Sequence, residues 1–284
     1  MNLTNKFKLP EAIVNAVNND GYSKGGSDFS ITELLKPSRI WALQRQNHTE
    51  IEEDVSDRLW SLYGQIAHTV LERANESDLV EKRYFVELDG RTVSSQIDSL
   101  SAKDGILTDY KFSTAWKFKA GKPPEDWVWQ LNMQAYILGQ NGIKVNKIQI
   151  VGLLRDYSKP ESMRNPDYPQ APIVVMPIPR LSDEKVKEFI IERMKSHIDA
   201  IENLPLCSQE DRWAKPDKWA VIKKGAKRAT KLFDDQKLAK DIADSTPGMT
   251  VELRPGMAVR CEMYCSASKF CLQYQGVLNE RKEV

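Results

Sequence analysis

The sequence of 284 residues has no uninterrupted apolar run of the roughly 20 residues that a membrane helix needs. Its first residues, MNLTNKFKLPEAI, also lack the apolar segment of a secretory signal. We therefore expect a cytoplasmic protein with no membrane partner. Apolar residues make up 41% of the chain and charged residues 29%, which is typical of a globular protein with a substantial core.

An excess of charge of either sign is also missing, because 41 Lys and Arg stand against 40 Asp and Glu. A polyanionic partner must then be held by a local patch of charge and not by the field of the whole molecule. Cysteine is scarce and confined to positions 207, 261, 265 and 271. In a reducing compartment such a cluster indicates metal binding before disulfide bonding.

The alternation of helical and strand patterns predicts an α/β fold with a central mixed sheet flanked by helices. We divide the chain into a helical segment over residues 1–54, a core over 55–204 and a cysteine-containing region over 205–284. The predicted elements of the core are a helix over 54–75, an antiparallel meander of strands over 84–88, 91–98 and 105–111, a helix over 126–138, strands over 147–154 and 173–178, and a helix from the N-cap Ser182 to about Glu202.

Two carboxylates and a lysine lie at the ends of neighbouring predicted strands. Asp98 ends one strand, and Asp109-Tyr110-Lys111 ends its hairpin partner. Side chains alternate along a strand, so Asp109 and Lys111 are expected on the same face. Two such carboxylates can hold Mg²⁺ or Mn²⁺ while the ammonium orients or deprotonates an attacking water. The alternative interpretation is solvated strand ends with a lysine that protects a sheet edge.

His68 is the histidine that we single out as a further metal ligand. Gly64 precedes it by one helical turn, and Glu72 follows by four residues on the same face. Imidazole on an inward helix face can bind a metal ion. The alternative is a histidine with a purely structural role.

Gln130 and Tyr136 lie on the next predicted helix, which is rich in amides. Amides and a phenol at helical spacing can position a phosphate, or orient the lysine and the water by hydrogen bonds. The helix can equally be an ordinary amphipathic helix that packs on the core, and both interpretations can hold together.

These pieces, in this order, resemble the RecB-like branch of the PD-(D/E)xK nucleases, which includes the nuclease domains of RecB and AddB and the CRISPR-associated exonucleases. The resemblance spans roughly residues 55–155. The four motifs in this order are more specific than any one of them alone. The matching residues are Gly64-x-x-x-His68, Gln96-Ile97-Asp98, Asp109-Tyr110-Lys111, and Gln130-Leu131 with Tyr136. The resemblance implies a restriction-endonuclease-like core and a metal-dependent exonuclease acting on DNA in recombination, repair or phage DNA processing. An endonuclease would use the same site.

The resemblance also implies a role for each residue. His68, Asp98 and Asp109 bind the metal ion, the backbone carbonyl of Tyr110 joins them, and Lys111 activates water. Imidazole among the ligands suits Mn²⁺ somewhat better than Mg²⁺.

The fourth motif departs from the family, where a tyrosine usually follows the glutamine by four residues. In this chain Tyr136 lies six residues after Gln130 and two after Gln134.

A second hypothesis, from another class of function, is a DNA-binding scaffold with a catalytically silent nuclease fold and a structural zinc site. Loss of the lysine or of a carboxylate would mark such a scaffold, and neither is lost here.

The cysteines form a compact pattern near the end of the chain. Cys261-x₃-Cys265-x₅-Cys271 places three thiols within eleven residues, and Cys207 is left to complete four. Four thiolates suit a 4Fe-4S cluster or structural Zn²⁺, whereas buried free cysteines are the alternative. The resemblance favours a 4Fe-4S cluster, because RecB-like families often carry one with a similar spacing of the last three cysteines. The first cysteine of those families precedes the core, near Arg39 of this chain, and the region that follows Cys207 is more similar to exonucleases of bacteriophage genomes.

A basic helix is predicted over about 223–239, and five of its basic residues lie in a window without acidic residues. It is expected to track the phosphate backbone of DNA, although a solvated helix face is the alternative. Its basic residues are Lys223, Lys224, Lys227, Arg228 and Lys231, of which the last four share one face of the predicted helix.

Overall fold

The computed structural model describes residues 2–19, 21, 23–74, 79–119 and 121–282, and over these residues the chain is an α/β protein with mixed sheets. The helices are α1 (Glu11–Asn18), α2 (Ile31–Leu34), α3 (Ser38–Gln46), α4 (Leu59–Ala74), α5 (Trp116–Lys119), α6 (Glu125–Gln140), α7 (Lys159–Arg164), α8 (Asp183–Asp199), α9 (Gln236–Asp244), α10 (Val259–Met263) and α11 (Leu272–Lys282). The 3₁₀ turns are Val55–Arg58 and Ser268–Phe270.

The strands are short except at the centre of the fold. They are β1 (Asn2–Thr4), β2 (Phe29–Ser30), β3 (Glu52–Asp54), β4 (Leu79–Val80), β5 (Arg83–Leu88), β6 (Arg91–Gln96), β7 (Ser99–Leu100), β8 (Ile106–Ser113), β9 (Lys147–Leu154), β10 (Ile173–Pro177), β11 (Ala214–Lys215), β12 (Lys218–Lys223), β13 (Lys231–Phe233), β14 (Met249–Arg254) and β15 (Met257–Ala258).

A five-stranded mixed sheet in the order β10-β9-β8-β7-β4 forms the centre of the molecule. The strands β8 and β9 are parallel, and the remaining neighbours are antiparallel. Parallel neighbours need a crossover connection, which here includes α6. A second sheet in the order β2-β6-β5 lies beside the first.

Helix α6 lies between two hydrophobic clusters and contributes to both. Met133 and Ile137 belong to a cluster with Trp41 of α3 and Ile190 of α8. Leu131 and its neighbours on the other side of α6 pack against the central sheet. With apolar contacts on two sides, this helix is fixed firmly relative to β8, and its polar side chains are placed with it.

The predicted antiparallel meander is present as two separate pairs of antiparallel strands and not as one continuous sheet. β5 pairs with β6, and β7 pairs with β8, both antiparallel, but the two pairs belong to different sheets. The chain leaves one sheet after Gln96 and joins the other at Ser99. Asp98 therefore lies at the bend between the sheets and does not end a strand.

Helix α4 has the predicted position but leaves much of its apolar side uncovered. A 3₁₀ turn capped by Asp54 precedes it, and the predicted last residue, Asn75, lies outside the described residues. Tyr63, Ile66 and Val70 recur at helical spacing, but they are 41%, 52% and 59% exposed. Burial of this face therefore does not explain the position of the helix.

The other core elements agree with the sequence patterns to within a few residues. Strand β9 has the predicted bounds, and α6 begins one residue before its prediction. The hydroxyl of Ser182 accepts the backbone N–H of Lys185 and caps α8, as predicted. None of the helices in the described ranges has the length and apolar content of a membrane span.

The predicted basic helix over 223–239 is wrong. Lys223 ends β12, Lys231 begins β13, and the two strands form an antiparallel hairpin. Gly225 has a φ of +85° in the connecting loop, a conformation outside the right-handed helical region. The helix begins only at Gln236, where Asp235 accepts the N–H of Leu238.

The last third of the chain has its own small sheet, in the order β13-β12-β14, covered by α9. Its cysteine-containing end packs on α3, where Leu43 joins a cluster with Ala267 and Cys271.

The first segment of the chain, predicted to be helical, also contains strands. Its strand β2 pairs with β6, and β1 pairs with β3.

His197 on α8 is fully buried. Its Nε2–H donates to the carbonyl of Glu33 at 3.0 Å, which leaves Nδ1 to accept from the hydroxyl of Ser38 at 3.0 Å. The rings of Phe29 and Trp41 pack beside the imidazole, with centroids 6.1 and 4.9 Å away. Burial lowers the pKa of His197 to about 4, so the imidazole is a neutral part of the core.

We expect acid to destabilise the fold through His197. The unfolded chain gains a proton at this residue below about pH 6.5, whereas the folded chain gains it only near pH 4. The contribution of this site is therefore complete above about pH 6.5 and falls toward pH 4, by on the order of 3 kcal/mol. Urea unfolding at about pH 7 and about pH 5 should show about 2 kcal/mol of this loss.

The matched variants are His197→Gln and His48→Gln, because His48 is exposed. His197→Gln should be less stable at neutral pH but should lose less stability on acidification, while His48→Gln should follow the wild type. Identical pH dependence of His197→Gln and the wild type would contradict the assignment.

Candidate active site and thiol cavity

Three side chains converge beside the bend at Asp98. His68 Nδ1 lies 2.9 Å from Glu81 Oε1, and His68 Nε2 lies 3.7 Å from Asp98 Oδ2. Ligand atoms of His68, Glu81 and Asp98 all lie within 4.8 Å of one another. Gln96 Nε2 donates to the second oxygen of Glu81 at 2.7 Å and fixes that carboxylate. One imidazole nitrogen and two carboxylates are a suitable donor set for a divalent ion.

The charges in this cluster perturb one another strongly. The hydrogen bond with Glu81, supported by the charges of Asp98 and Asp109, raises the pKa of His68 to about 9. Burial, together with the charge of Asp109, raises the pKa of Asp98 to about 7. Burial also acts to raise the pKa of Glu81, but hydrogen bonds from His68 and Gln96 outweigh it and hold that pKa below its ordinary value. Carboxylates and imidazole are thus crowded together, as at a cation site.

A second polar group lies on the adjoining part of β8. Asp109 and Lys111 form an ion pair of 2.8 Å, and Gln130 of α6 bridges them. The Gln130 amide donates to Asp109 Oδ1 at 2.7 Å and accepts from Lys111 Nζ at 2.9 Å. The predicted placement of Asp109 and Lys111 on one face of the strand is therefore confirmed. Burial acts to lower the pKa of Lys111, but the charge of Asp109 and its hydrogen bond outweigh it, so the pKa is raised.

A backbone contact joins the two groups. The N–H of Tyr110 donates to Asp98 Oδ2 at 2.7 Å. One turn along α6 from Gln130, the buried Gln134 donates to the backbone carbonyl of Gln96 at 3.0 Å. Among the described residues, Gln134 Oε1 has no hydrogen-bond partner. We call the whole set the polar cluster. Its members are His68, Glu81, Gln96, Asp98, Asp109, Tyr110, Lys111, Gln130 and Gln134.

One expected member of the site lies elsewhere. Tyr136 is 4% exposed and packs in the hydrophobic cluster between α3, α6 and α8, away from the polar cluster. It lies on a different side of α6 from Gln130, because the two residues are six apart. The structure therefore corrects the assignment of Tyr136. Glu72 follows His68 by four residues on α4, as predicted, and is exposed.

Two members of the polar cluster were missed. Glu81 follows α4 and has a φ of +48°, and no pattern in the sequence links it to His68. Gln134 did have a signal, because it lies four residues after Gln130, on the same face of α6.

The four cysteines line a single narrow cavity, together with Arg39 and Leu43 of α3. Cys207 and Cys271 are buried, and Gln273 fixes Cys207 by hydrogen bonds to its backbone N–H and carbonyl of 2.9 and 2.8 Å. Burial, with the nearby charges of Asp211 and the other thiols, raises the pKa of Cys207 to about 12. The fold therefore gathers the thiols of Cys207, Cys261, Cys265 and Cys271 from both ends of the last third of the chain.

The expected DNA-binding residues are brought together, although not on a helix. All five lie exposed on the hairpin between β12 and β13: Lys223, Lys224, Lys227, Arg228 and Lys231.

A separate groove is lined by Asp126, Trp213 and Arg260, among other residues. The charge of Asp126 acts on Lys111, so this groove reaches the neighbourhood of the polar cluster. Its lining is mixed in charge, with basic residues Lys117, Lys119, Lys122, Arg193 and Arg260 and acidic residues Glu125, Asp126, Asp167, Glu210 and Asp211.

The chain matches no known family model and none of the curated proteins with which it was compared. It is similar to a solved structure described as "Crystal structure of SSO0001", with 13% sequence identity and a TM-score of 0.46 over 64% of this chain and 83% of that chain. A likeness of this extent says nothing about what this chain does.

We expect Glu81→Gln to lower the pKa of His68 toward its ordinary value of 6.5, because the variant removes the carboxylate that holds the imidazolium. An NMR titration of the histidine ring protons measures this change. Glu72→Gln is the matched control, since Glu72 is an exposed glutamate on α4, the helix that carries His68. An unchanged pKa in Glu81→Gln, or an equal change in Glu72→Gln, would mean that the contact does not form in solution.

Proposed function

We propose that this protein is a divalent-metal-dependent deoxyribonuclease that hydrolyses phosphodiester bonds at the polar cluster. The observation that supports this proposal best is the meeting of His68 and Asp98 with Asp109 and Lys111 around one segment of β8. Hard oxygen ligands, an imidazole and a charged lysine within one pocket suit the hydrolysis of a phosphate ester. The restriction-endonuclease-like arrangement of the core is part of this proposal.

In this proposal His68 and Asp98 hold Mg²⁺ or Mn²⁺, with Asp109 and the carbonyl of Tyr110 completing the set. Glu81 either joins them as a ligand or orients His68 through the hydrogen bond at Nδ1. The ion supplies positive charge that offsets the negative charge gathering on the phosphate in the transition state.

Lys111 is assigned the role of orienting the attacking water and stabilising charge on the phosphate. Its raised pKa keeps the side chain an ammonium near neutral pH, which makes it a poor proton acceptor. Gln130 holds the lysine through its carbonyl oxygen and Asp109 through its amide nitrogen, so one side chain fixes both. Gln130 is therefore a positioning residue in this scheme.

DNA is the proposed substrate, and attack at free ends is favoured over internal cleavage because of the resemblance to RecB-like exonucleases. The exposed basic hairpin and the lysines on one side of the groove supply phosphate contacts. Trp116 is 75% exposed beside these lysines and offers an aromatic face on which a base can stack. Recombination, repair and phage DNA processing are pathways in which such an activity serves.

We further propose that the four thiols hold a 4Fe-4S cluster, with Zn²⁺ as the alternative occupant. The single cavity that all four cysteines line supports a shared metal site, and the resemblance to RecB-like families favours the cluster over zinc. The site connects the beginning and end of the cysteine-containing region, so its occupant stabilises that region as a whole.

We expect Asp109→Asn and Lys111→Ala each to reduce cleavage of end-labelled linear DNA by on the order of 100-fold or more. Asp109→Asn would remove a charged ligand of the metal ion, and Lys111→Ala would remove a positive charge that stabilises the transition state. Chelation with EDTA should abolish cleavage, and Mn²⁺ should restore it. Linear and circular DNA assayed in parallel distinguish attack at ends from internal cleavage.

The chain offers a matched control in Asp183-Glu184-Lys185, a second Asp-x-Lys triplet that lies exposed at the start of α8. Asp183→Asn and Lys185→Ala should cleave DNA as the wild type does. Wild-type cleavage by Asp109→Asn or Lys111→Ala would refute the assigned site, and DNA binding without any cleavage would favour the silent scaffold.

Protein purified without oxygen should be brown and contain iron and acid-labile sulfide. Cys207→Ser should lose most of that content and unfold at lower urea concentration, because one ligand of the shared site is gone. Colourless protein with one equivalent of zinc would show that the four thiols hold a structural zinc ion and not a 4Fe-4S cluster. Four thiols that titrate freely in the native, metal-free protein would refute both.

A further inference from the structure

Arg39 is a buried cation without an acidic partner. It lies on α3 and is only 6% exposed. Its guanidinium donates to the backbone carbonyls of Leu204 and Pro205 at 3.4 and 3.1 Å, and its Nε donates to the sulfur of Cys271 at 3.2 Å. Among the described residues, no carboxylate forms an ion pair with it. A charge taken out of water in this way is costly unless a charge of the opposite sign compensates for it.

The acidic residue that lines the same cavity forms no ion pair with Arg39. Asp211 lines the same cavity, but its carboxylate accepts the backbone N–H of Ser208 at 2.9 Å. Further positive charge also lies nearby, since Arg212 lines the cavity and Arg260 precedes Cys261. Arg39, Arg212 and Arg260 act on the thiols and outnumber the acidic residues Asp211 and Glu262 that do so, which favours an anionic occupant.

A metal held by four thiolates is such an anion. One divalent ion with four thiolates carries a formal charge of −2, and an iron–sulfur cluster on four thiolates is also negatively charged. Hydrogen bonds from N–H groups to ligand sulfurs are known to adjust both the affinity and the reduction potential of these sites. The Arg39 to Cys271 contact is a bond of this kind.

We propose that Arg39 is the charge counterpart of an anionic metal–thiolate group in the cysteine cavity, and that this pairing holds α3 against the cysteine-containing region. The inference rests on the proposed metal site of the four cysteines and is independent of the nuclease activity. It assigns to Arg39 the role of a positioning residue outside the ligand set. It also links the first segment of the chain to the last one through a pair of opposite charges.

The test compares Arg39→Gln, Arg39→Lys and the wild type, with Arg45→Gln as control. Arg45 is an exposed arginine of the same helix, so its replacement changes the net charge equally without touching the cavity. The readout is the metal and sulfide content of the purified proteins and the rate at which a chelator extracts the metal. Changes outside the ligand set typically weaken metal sites by about 10–100-fold.

We expect Arg39→Gln to release its metal at least about ten times faster than the wild type, because the anion loses its counter-charge. Arg39→Lys keeps the charge but loses the planar guanidinium group, so its rate of metal release should be intermediate. Arg45→Gln should release metal as slowly as the wild type. If the metal is an iron–sulfur cluster, its reduction potential should fall in Arg39→Gln, since a lost positive charge disfavours the added electron.

Three results would overturn the inference. Arg39→Gln that retains metal as the wild type does would show that the charge is not needed. Arg39→Lys that loses metal as fast as Arg39→Gln would show that geometry and not charge matters. If Arg39→Gln does not fold, Arg39→Lys is compared with the wild type, and release of its metal about ten times faster or more has the same meaning. A wild type without bound metal would overturn both this inference and the proposed cysteine site, whereas the first two results leave that site intact.

Discussion

The candidate active site depends on one hydrogen bond, from the N–H of Tyr110 to the carboxylate of Asp98. β7 pairs with β8 only as far as Thr108, and beyond that point the chain has crossed to the neighbouring sheet. The side chain of Asp98 takes over where backbone pairing stops and satisfies the next N–H of β8. This replacement brings a carboxylate into a buried position between His68 and Asp109, where burial and charge oppose its ionisation.

Compensation for that buried carboxylate explains much of what surrounds it. Glu81 favours the protonated form of His68 as long as no metal ion is bound to it, and Lys111 pairs with Asp109, so positive charge lies on both sides of Asp98. Helix α6 keeps Gln130 in place because its apolar residues are buried in two clusters. The rigidity of the site therefore comes from the packing of α6, whereas its charge balance comes from β8 and the segment around Glu81.

The sequence predicted the parts of the site that have local signals. Period-two alternation placed Asp109 and Lys111 on one face, and helical periodicity placed His68 on α4. Glu81 could not be predicted, since its contact with His68 spans thirteen residues and needs a backbone of positive φ. Tyr136 was misplaced because the order of motifs was followed in preference to the helical period, which selects Gln134. The basic helix was wrong because Gly225 and the short apolar run Trp219-Ala220-Val221-Ile222 favour a strand followed by a turn, and the charges alone do not decide between helix and hairpin.

The exposed hairpin between β12 and β13 gives the cysteine-containing region a particular response to proteolysis. Its lysines and arginine offer trypsin several cleavage sites in one accessible loop. Cleavage there leaves β12 on the first fragment and both β13 and β14 on the second. Since β12 lies between these two strands and hydrogen-bonds to each, the fragments share a sheet after the bond is cut. A nicked chain would therefore separate under denaturing conditions while it still migrates as one particle in native buffer.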